Sequence, residues 1–136
     1  METTGNTVEV KAPGSGLTRA AGIALLVIAV LHVVFTMSPY WPGWIAGELR
    51  NGGATIESVA AFWSQPGGFW ALLVILGLLT IRAANQGDLL PAYVGWILLG
   101  WIVLCMIIVG PASGFTTGLV PAALLIAAAL RDRSGR

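Results

Sequence analysis

Long apolar stretches separated by short polar segments dominate the sequence. No Asp, Glu, Lys or Arg lies in segments 20–47, 58–81 or 89–130. A helix needs about 20 apolar residues to cross the hydrocarbon core of a membrane. The first two segments therefore accommodate one crossing each, and the third accommodates two. The sequence predicts an all-α integral membrane bundle of four transmembrane helices, at about residues 17–37, 69–84, 90–109 and 115–130.

Prolines, glycines and polar residues mark the ends of these spans. Segment 38–43 contains two prolines, which cannot continue a helix, and its Tyr and Trp side chains are typical of the headgroup level of a membrane. Segment 85–88 is a short polar turn, so we expect spans two and three to be antiparallel neighbours. Segment 110–114 contains the hinge between spans three and four.

The first loop and the two ends of the chain complete the predicted organisation. Ile56, Val59 and Trp63 recur at helical spacing after Thr55, a candidate N-cap, which predicts a short helix on the membrane surface. Residues 1–16 are polar and interrupted by Gly and Pro, so we expect a flexible N-terminal tail. Residues 17–131 then form the transmembrane domain, and residues 132–136 form a second tail. The alternative to the first span is a cleaved signal peptide, but the apolar run is long and no small-residue cleavage site follows it.

Composition and charge support the same class of protein. Hydrophobic residues make up 57% of the chain and charged residues 10%, whereas a soluble domain carries about a quarter charged residues. A net charge of +1 argues against a nucleic-acid partner. Basic residues accumulate on the cytoplasmic side of membrane proteins, and here only Arg50 falls on the other side, so we expect both termini to be cytoplasmic. The basic residues on the predicted inner side are Lys11, Arg19, Arg82, Arg131, Arg133 and Arg136.

His32 is the single ionisable side chain deep in a predicted span. Titratable groups inside a membrane are costly and often functional, although a neutral imidazole can equally fix the packing of a neighbouring helix. Position along the spans puts six further side chains in the same outer half of the membrane: Trp63, Trp70, Trp101, Cys105, Thr116 and Thr117. With His32 they suggest a pocket for a small molecule. The alternative is an interfacial belt of tryptophans with ordinary packing around it.

Several chemistries lack the residues that they need. A single cysteine excludes an internal disulfide and a cysteine-based metal site, and a single histidine excludes bis-histidine haem within one protomer. The sequence contains no Gly-Lys-Ser/Thr phosphate loop and no HExxH motif. We therefore expect no metal and no cofactor. The predicted spans also lack the buried carboxylate of a proton-coupled transporter.

Small residues and a proline distinguish the fourth span. Such residues allow close helix packing, either between spans three and four or in a homodimer, and they recur every fourth position: Gly110, Gly114, Gly118 and Ala122. Pro121 cannot donate a backbone hydrogen bond. We therefore expect it to release the carbonyl of Thr117 one turn earlier; the alternative is that it merely kinks the helix.

A set of aromatic, glycine and proline positions carries a family resemblance. They are Leu31-His32, the aromatic segment 38–44, Ala61-Phe62-Trp63, Leu90-Pro91-Ala92, Gly95-Trp96, Gly110-Pro111 and the segment 118–121. In this arrangement the chain resembles a family of small four-helix bacterial membrane proteins of unknown function. The resemblance covers about residues 18–131. It implies the four-span fold and a bacterial inner-membrane location, and it brings no activity.

Two classes of function remain open from the sequence. The first is a non-enzymatic protein of the lipid bilayer: an accessory subunit of a larger membrane complex, or a binder of a small apolar or lipid-like ligand near His32. The alternative is a membrane-embedded isomerase or cyclase for a lipid or quinone-like substrate. In that case His32 is the acid/base group, since imidazole transfers protons near pH 7, and aromatic side chains stabilise a cationic intermediate.

Overall fold

The computed structural model of the protein describes residues 14–112 and 114–134. Most of the predicted tail 1–16, with Lys11, lies outside these ranges, as does Arg136. Within the described ranges the chain forms seven α-helices and no β-strand, which confirms the all-α class. Three short helices connect the first long helix to the second: α2 (Trp41–Ala46), α3 (Glu48–Asn51) and α4 (Ile56–Ser64). The long helices are α1 (Ser15–Leu31), α5 (Trp70–Asn85), α6 (Ala92–Val109) and α7 (Leu119–Ser134).

Irregular turns extend two of the long helices. A π-helical turn, His32–Thr36, continues α1, and a 3-10 turn, Gly114–Gly118, leads into α7. With these turns, three segments are long and apolar enough to cross a membrane: Ser15–Thr36, Ala92–Val109 and Gly114–Ser134. Helix α5 is apolar but has 16 residues, a length of about 24 Å. By length and composition, the structure thus supports three of the four predicted spans.

The long helices pack in the order α5, α1, α7, α6, and each is antiparallel to the next. This direction follows from contacts near both ends of each packed pair. The contacts are Trp70 with Ala29 and Gly77 with Gly22 for α5 and α1, Gly14 with Ala128 and Gly114 with His32 for α1 and α7, and Gly95 with Ile126 and Gly118 with Ile102 for α6 and α7. The starts of α1 and α6 therefore share one end of the molecule with the last turns of α5 and α7.

This arrangement separates the described charges between the two ends of the molecule. The end with the first turns of α1 and α6 carries four arginines and two aspartates: Arg19, Arg82, Arg131, Arg133, Asp88 and Asp132. The opposite end carries the connection from α1 to α5, with Glu48, Arg50 and Glu57. The described basic residues are thus grouped as the sequence predicts.

Helices α5 and α6 follow each other in the chain but are not a packed pair, which corrects the expectation that spans two and three are neighbours. Glycines explain the difference. Gly77 brings α5 against α1, and Gly95 brings α6 against α7, because small residues allow helix backbones to approach closely. The residues on the facing sides of α5 and α6 include the larger Leu73 and Leu98, which line a common cavity. A cleft therefore remains between these two helices.

Small and hydroxyl-bearing residues form the contacts of α1 with its neighbours. The buried alanine and leucine side chains of α1, α5 and α7 are Ala21, Leu25, Ala29, Ala84, Ala122, Leu125 and Ala128. Thr18 and Thr80 are also buried, and each donates its hydroxyl to a carbonyl one turn earlier in its own helix. A polar group hidden in this way does not need a partner on another helix. The core is therefore thin and closely packed.

Pro121 lies in the first turn of α7, directly after the 3-10 turn Gly114–Gly118. Backbone N–H groups of the first turn have no acceptor inside the helix, so proline costs little there. The small residues also do not form one continuous stripe. Gly110 ends α6 with a φ of 106°, whereas Gly118 packs against Ile102 of α6.

The outer faces of the long helices consist of large apolar side chains. Only Gly95, Ile102 and Cys105 are buried in α6. More than half of the surface of each of the following side chains is exposed: Val30, Leu72, Leu78, Ile97, Ile107 and Ile108. Soluble monomers rarely expose continuous apolar surface on this scale.

Candidate functional site

A cavity of about 400 Å³ lies among the four long helices, beside the cleft between α5 and α6. Its volume is within the range of small-molecule sites. Most of its wall is apolar and includes Leu25, Ile28, Phe69, Leu73, Leu98 and Phe115. The lining side chains with a polar atom are those of His32, Thr36, Gln65, Trp101 and Thr117. An apolar wall with a few polar groups is the usual composition of a ligand site.

His32 begins the π-helical turn and presents its ring to the cavity. The ring nitrogen Nδ1 is 2.9 Å from the carbonyl oxygen of Ile28. A carbonyl only accepts hydrogen bonds, so Nδ1 carries the proton, and in the neutral ring Nε2 is then an acceptor. Nε2 faces Gly114, where a Cβ would lie 2.9 Å from it. Within the described ranges, Nε2 has no hydrogen-bond partner.

Two tryptophans stabilise the backbone that carries His32. A π-helical turn changes the spacing of backbone hydrogen bonds, and buried carbonyls that lose a backbone donor need another one. The indole of Trp70 donates to the carbonyl of Ala29 at 2.9 Å, and the indole of Trp41 donates to the carbonyl of Val33 at 3.2 Å. The first bond connects the last turn of α1 to α5, and the second connects the π-helical turn to α2.

Gln65 reaches the cavity wall from the turn that connects α4 to α5. Its backbone is held in place because its carbonyl accepts from the amides of Gly68 and Trp70. Its side-chain oxygen Oε1 is buried and has no hydrogen-bond partner in the described part of the chain. Leaving such an acceptor unpaired costs about 1–3 kcal/mol. A donor in the cavity would recover that free energy.

Three of the seven residues predicted from the sequence line the cavity: His32, Trp101 and Thr117. Trp101 belongs to α6 and is 58% exposed, so its ring also reaches the outer surface. The hydroxyl of Thr117 donates to the carbonyl of Gly114 at 2.7 Å. The structure thus brings these three side chains together at one wall.

The other four predicted residues lie elsewhere. Trp70 is half-buried and hydrogen-bonded to α1, so it supports the site from behind. Cys105 is buried in α6 and does not line the cavity. Trp63 is 65% exposed at the end of α4. Thr116 is exposed, and its hydroxyl donates to the carbonyl of Pro111.

An aromatic cluster organises the end of the molecule above the cavity. Trp44 stacks on Tyr40 and meets Phe62 edge to face, with ring centroids 5.8 and 5.5 Å apart. Its indole donates to the hydroxyl of Ser58, which is the buried residue of α4. These contacts fix α4, and with it the turn that carries Gln65.

Helix α4 begins as the sequence predicts. The Thr55 hydroxyl accepts from the amide of Ser58 at 3.2 Å, which confirms the predicted N-cap. A backbone N–H and the Thr55 hydroxyl hydrogen-bond to Glu57 and hold the pKa of its carboxyl below the ordinary value. One face of α4 remains uncovered, since Ile56 and Trp63 are both largely exposed.

The wall can bind a ligand through apolar contact and hydrogen bonds. Among the lining residues that the structure describes, His32 is the one titratable side chain. No second acid/base group in the described wall assists it, and its role as an acid/base group stays a prediction. No group of three or more His, Cys, Asp or Glu side chains comes together in the described residues. The larger complex and the homodimer also stay predictions.

Comparison with known proteins gives one informative result. Neither the curated proteins nor the solved structures contain a match to this chain. A family model with the description "Family of unknown function (DUF6463)" matches residues 16–132, which span α1 to the last turns of α7. The predicted resemblance to a family of unknown function is thus confirmed, and the chain belongs to the family of unknown function DUF6463.

Proposed function

We propose that the protein is a multi-pass integral protein of a bacterial inner membrane and that it binds a small apolar or lipid-like ligand in the cavity beside His32. The cavity carries this proposal. Two polar atoms, Nε2 of His32 and Oε1 of Gln65, have no described partner in a wall that is otherwise mainly apolar. Oε1 of Gln65 is buried, and buried polar atoms are normally paired, so its lack of a partner at a cavity wall, near the accessible Nε2 of His32, suggests a ligand.

The outer surface supports the membrane part of the proposal. Apolar side chains cover α6 on nearly all sides, which is typical of a helix surrounded by lipid or protein. We assign the fourth crossing to α5, which packs along α1 through Gly22 and Gly77. Its length of about 24 Å is below the usual thickness of about 30 Å, and a short span is accommodated by local thinning of the bilayer.

Charge sets the proposed orientation. The end of the molecule with Arg19, Arg82 and Arg131 is the cytoplasmic end, because basic residues accumulate there. Both termini are then cytoplasmic, and His32 lies in the outer half of the membrane. The exposed apolar face of α4, with Ile56 and Trp63, lies in the outer interface.

The cleft between α5 and α6 provides a route from the bilayer to the cavity. These helices are not packed together, and Leu73 of α5 and Leu98 of α6 both line the cavity. A lipid-like molecule can therefore reach His32 sideways without crossing an aqueous phase. Desolvation of the ligand then costs little, because hydrocarbon surrounds it before and after binding.

A brominated chain tests the proposed function, because bromine quenches tryptophan fluorescence at short range. The probe is 12-bromododecyl methyl ether, added to the purified protein in lipid nanodiscs. Trp101 is the reporter, and the variant Trp101→Phe gives the background from the other tryptophans. We expect saturable quenching of Trp101 in the wild-type protein.

Two double variants localise the binding. Leu73→Phe with Leu98→Phe narrows the cavity and should abolish the saturable component. Leu72→Phe with Leu104→Phe adds the same rings to the same helices at exposed positions and should leave the component unchanged. Quenching that rises linearly with the probe and is equal in both double variants would refute binding in the cavity.

A further inference from the structure

We infer that the ligand is a neutral amphiphile with a single apolar chain and a hydroxyl headgroup that donates a hydrogen bond into the cavity. This inference rests on the proposed function, since it assigns the chemical class of the ligand in the same cavity. The argument depends on which polar atoms of the wall donate and which accept.

His32 contributes an acceptor. Its Nδ1–H is already used, because the carbonyl of Ile28 accepts from it at 2.9 Å. The remaining nitrogen of the neutral ring, Nε2, has a lone pair and no proton. Its neighbour Gly114 has no side chain that covers it. A ligand hydroxyl can donate to this nitrogen, whereas an ether or a ketone cannot.

Gln65 and Thr117 contribute further acceptors. Oε1 of Gln65 is buried without a partner in the described structure. The Thr117 hydroxyl donates its proton to the carbonyl of Gly114 at 2.7 Å. The hydroxyl oxygen of Thr117 therefore offers a ligand only its lone pairs. The lining residues with an uncommitted donor are Thr36 and Trp101, which are both exposed, and Gln65 through its amide nitrogen. A hydroxyl headgroup can donate to Nε2 of His32 or Oε1 of Gln65 and can accept from one of these donors at the same time, whereas an ether can only accept.

The absence of Lys, Arg, Asp and Glu from the described wall argues against a charged headgroup. Its lining residues include no Lys, Arg, Asp or Glu. A carboxylate or phosphate placed there would face three acceptors and no Lys or Arg, and an ammonium group would have no carboxylate as counter-ion. A neutral hydroxyl satisfies an acceptor without introducing a charge.

The test compares two probes that differ only at the headgroup. They are 12-bromododecan-1-ol and 12-bromododecyl methyl ether, both titrated against the wild-type protein in nanodiscs, with Trp101 as the reporter. We expect the alcohol to bind roughly tenfold more tightly than the ether, since it pairs an acceptor that the ether leaves unpaired. A third probe, 12-bromododecanoate, should bind more weakly than the alcohol.

A double variant assigns the preference to the two acceptors. His32→Phe with Gln65→Leu removes Nε2 and Oε1 and keeps the cavity apolar. The preference for the alcohol should disappear, while the affinity for the ether is retained, which also shows that the variant is folded. Equal affinity of both probes for the wild-type protein, or tighter binding of the carboxylate, would overturn the inference and leave the proposed function standing. No saturable binding of any probe would overturn both.

Discussion

Gly22 of α1 and Gly77 of α5 contact each other through their backbones. A Cβ on Gly22 would lie 2.8 Å from the carbonyl oxygen of Gly77, and a Cβ on Gly77 would lie 3.1 Å from the carbonyl oxygen of Gly22. A side chain at Gly22 would force the two backbones apart, and one at Gly77 would be a tight fit. The close approach fixes the depth at which α5 lies along α1, and it thereby places Trp70 beside the end of α1.

This contact predicts a large effect of one methyl group. Gly22→Ala should lower the free energy of unfolding by about 1–3 kcal/mol, because the backbone of α5 must move away from α1. Gly16→Ala is the matched control on the same helix, since a Cβ there meets nothing within 4 Å. The control should be neutral or stabilising. Unfolding by a denaturing detergent, followed by circular dichroism, measures both, and equal stability of the two variants would contradict the packing.

The hydrogen bond from Trp70 to Ala29 predicts a second effect. Trp70→Phe keeps an aromatic ring but removes the donor at 2.9 Å from the carbonyl. We expect a loss of about 1 kcal/mol in the free energy of unfolding. Trp63→Phe is the control, because the Trp63 indole is largely exposed and has no hydrogen bond in the described structure. A larger loss for Trp63→Phe would show that the bond to Ala29 is unimportant.

A substitution at Gly114 should affect ligand binding more than it affects the stability of the fold. Gly114→Ala places a Cβ 2.9 Å from Nε2 of His32, so the imidazole must rotate or shift. The affinity for 12-bromododecan-1-ol should fall roughly tenfold, because the acceptor is covered or displaced. Gly100→Ala is the control, since its Cβ would meet nothing within 4 Å. If Gly114→Ala keeps full affinity, His32 does not receive the hydroxyl.

Cysteine labelling tests whether α5 crosses the membrane. Asn51 and Asn85 are both exposed. Asn51 precedes α5 in the chain and Asn85 is the last residue of α5, so the two positions flank the proposed crossing. In a Cys105→Ser background, a membrane-impermeant maleimide applied to spheroplasts should label Asn51→Cys at once. It should label Asn85→Cys only after the membrane is permeabilised. Labelling of both from the same side would show that α5 does not cross.

The sequence predicts the long helices well because the apolar segments are long and their ends carry strong signals. Gly110 and Pro111, for example, end α6 where the pattern predicts a hinge. The order of packing is not predictable in the same way. The short turn after α5 favours a hairpin, whereas the actual neighbours are set by where Gly77 and Gly95 meet other helices.

The candidate site is only partly predictable. His32 is conspicuous because it is a polar residue in an apolar span, and it does line the cavity. Gln65 is not predicted as a site residue, because it lies in a segment with Pro and Gly that predicts only an interruption between two helices. Its role depends on the burial of one oxygen atom, which has no local sequence signal. The π-helical turn could not be predicted either, because the sequence His-Val-Val-Phe-Thr has no feature that distinguishes it from an ordinary helical end.

Native mass spectrometry tests the proposed ligand site most directly. The protein is extracted from its own membranes in polymer-bounded discs, without detergent, and ejected intact into the spectrometer. We expect the wild-type chain to carry a small neutral lipid with a free hydroxyl, and the Leu73→Phe, Leu98→Phe variant to have lost it while Leu72→Phe, Leu104→Phe retains it. A bare wild-type chain, or the same adduct on all three proteins, would contradict a ligand site beside His32.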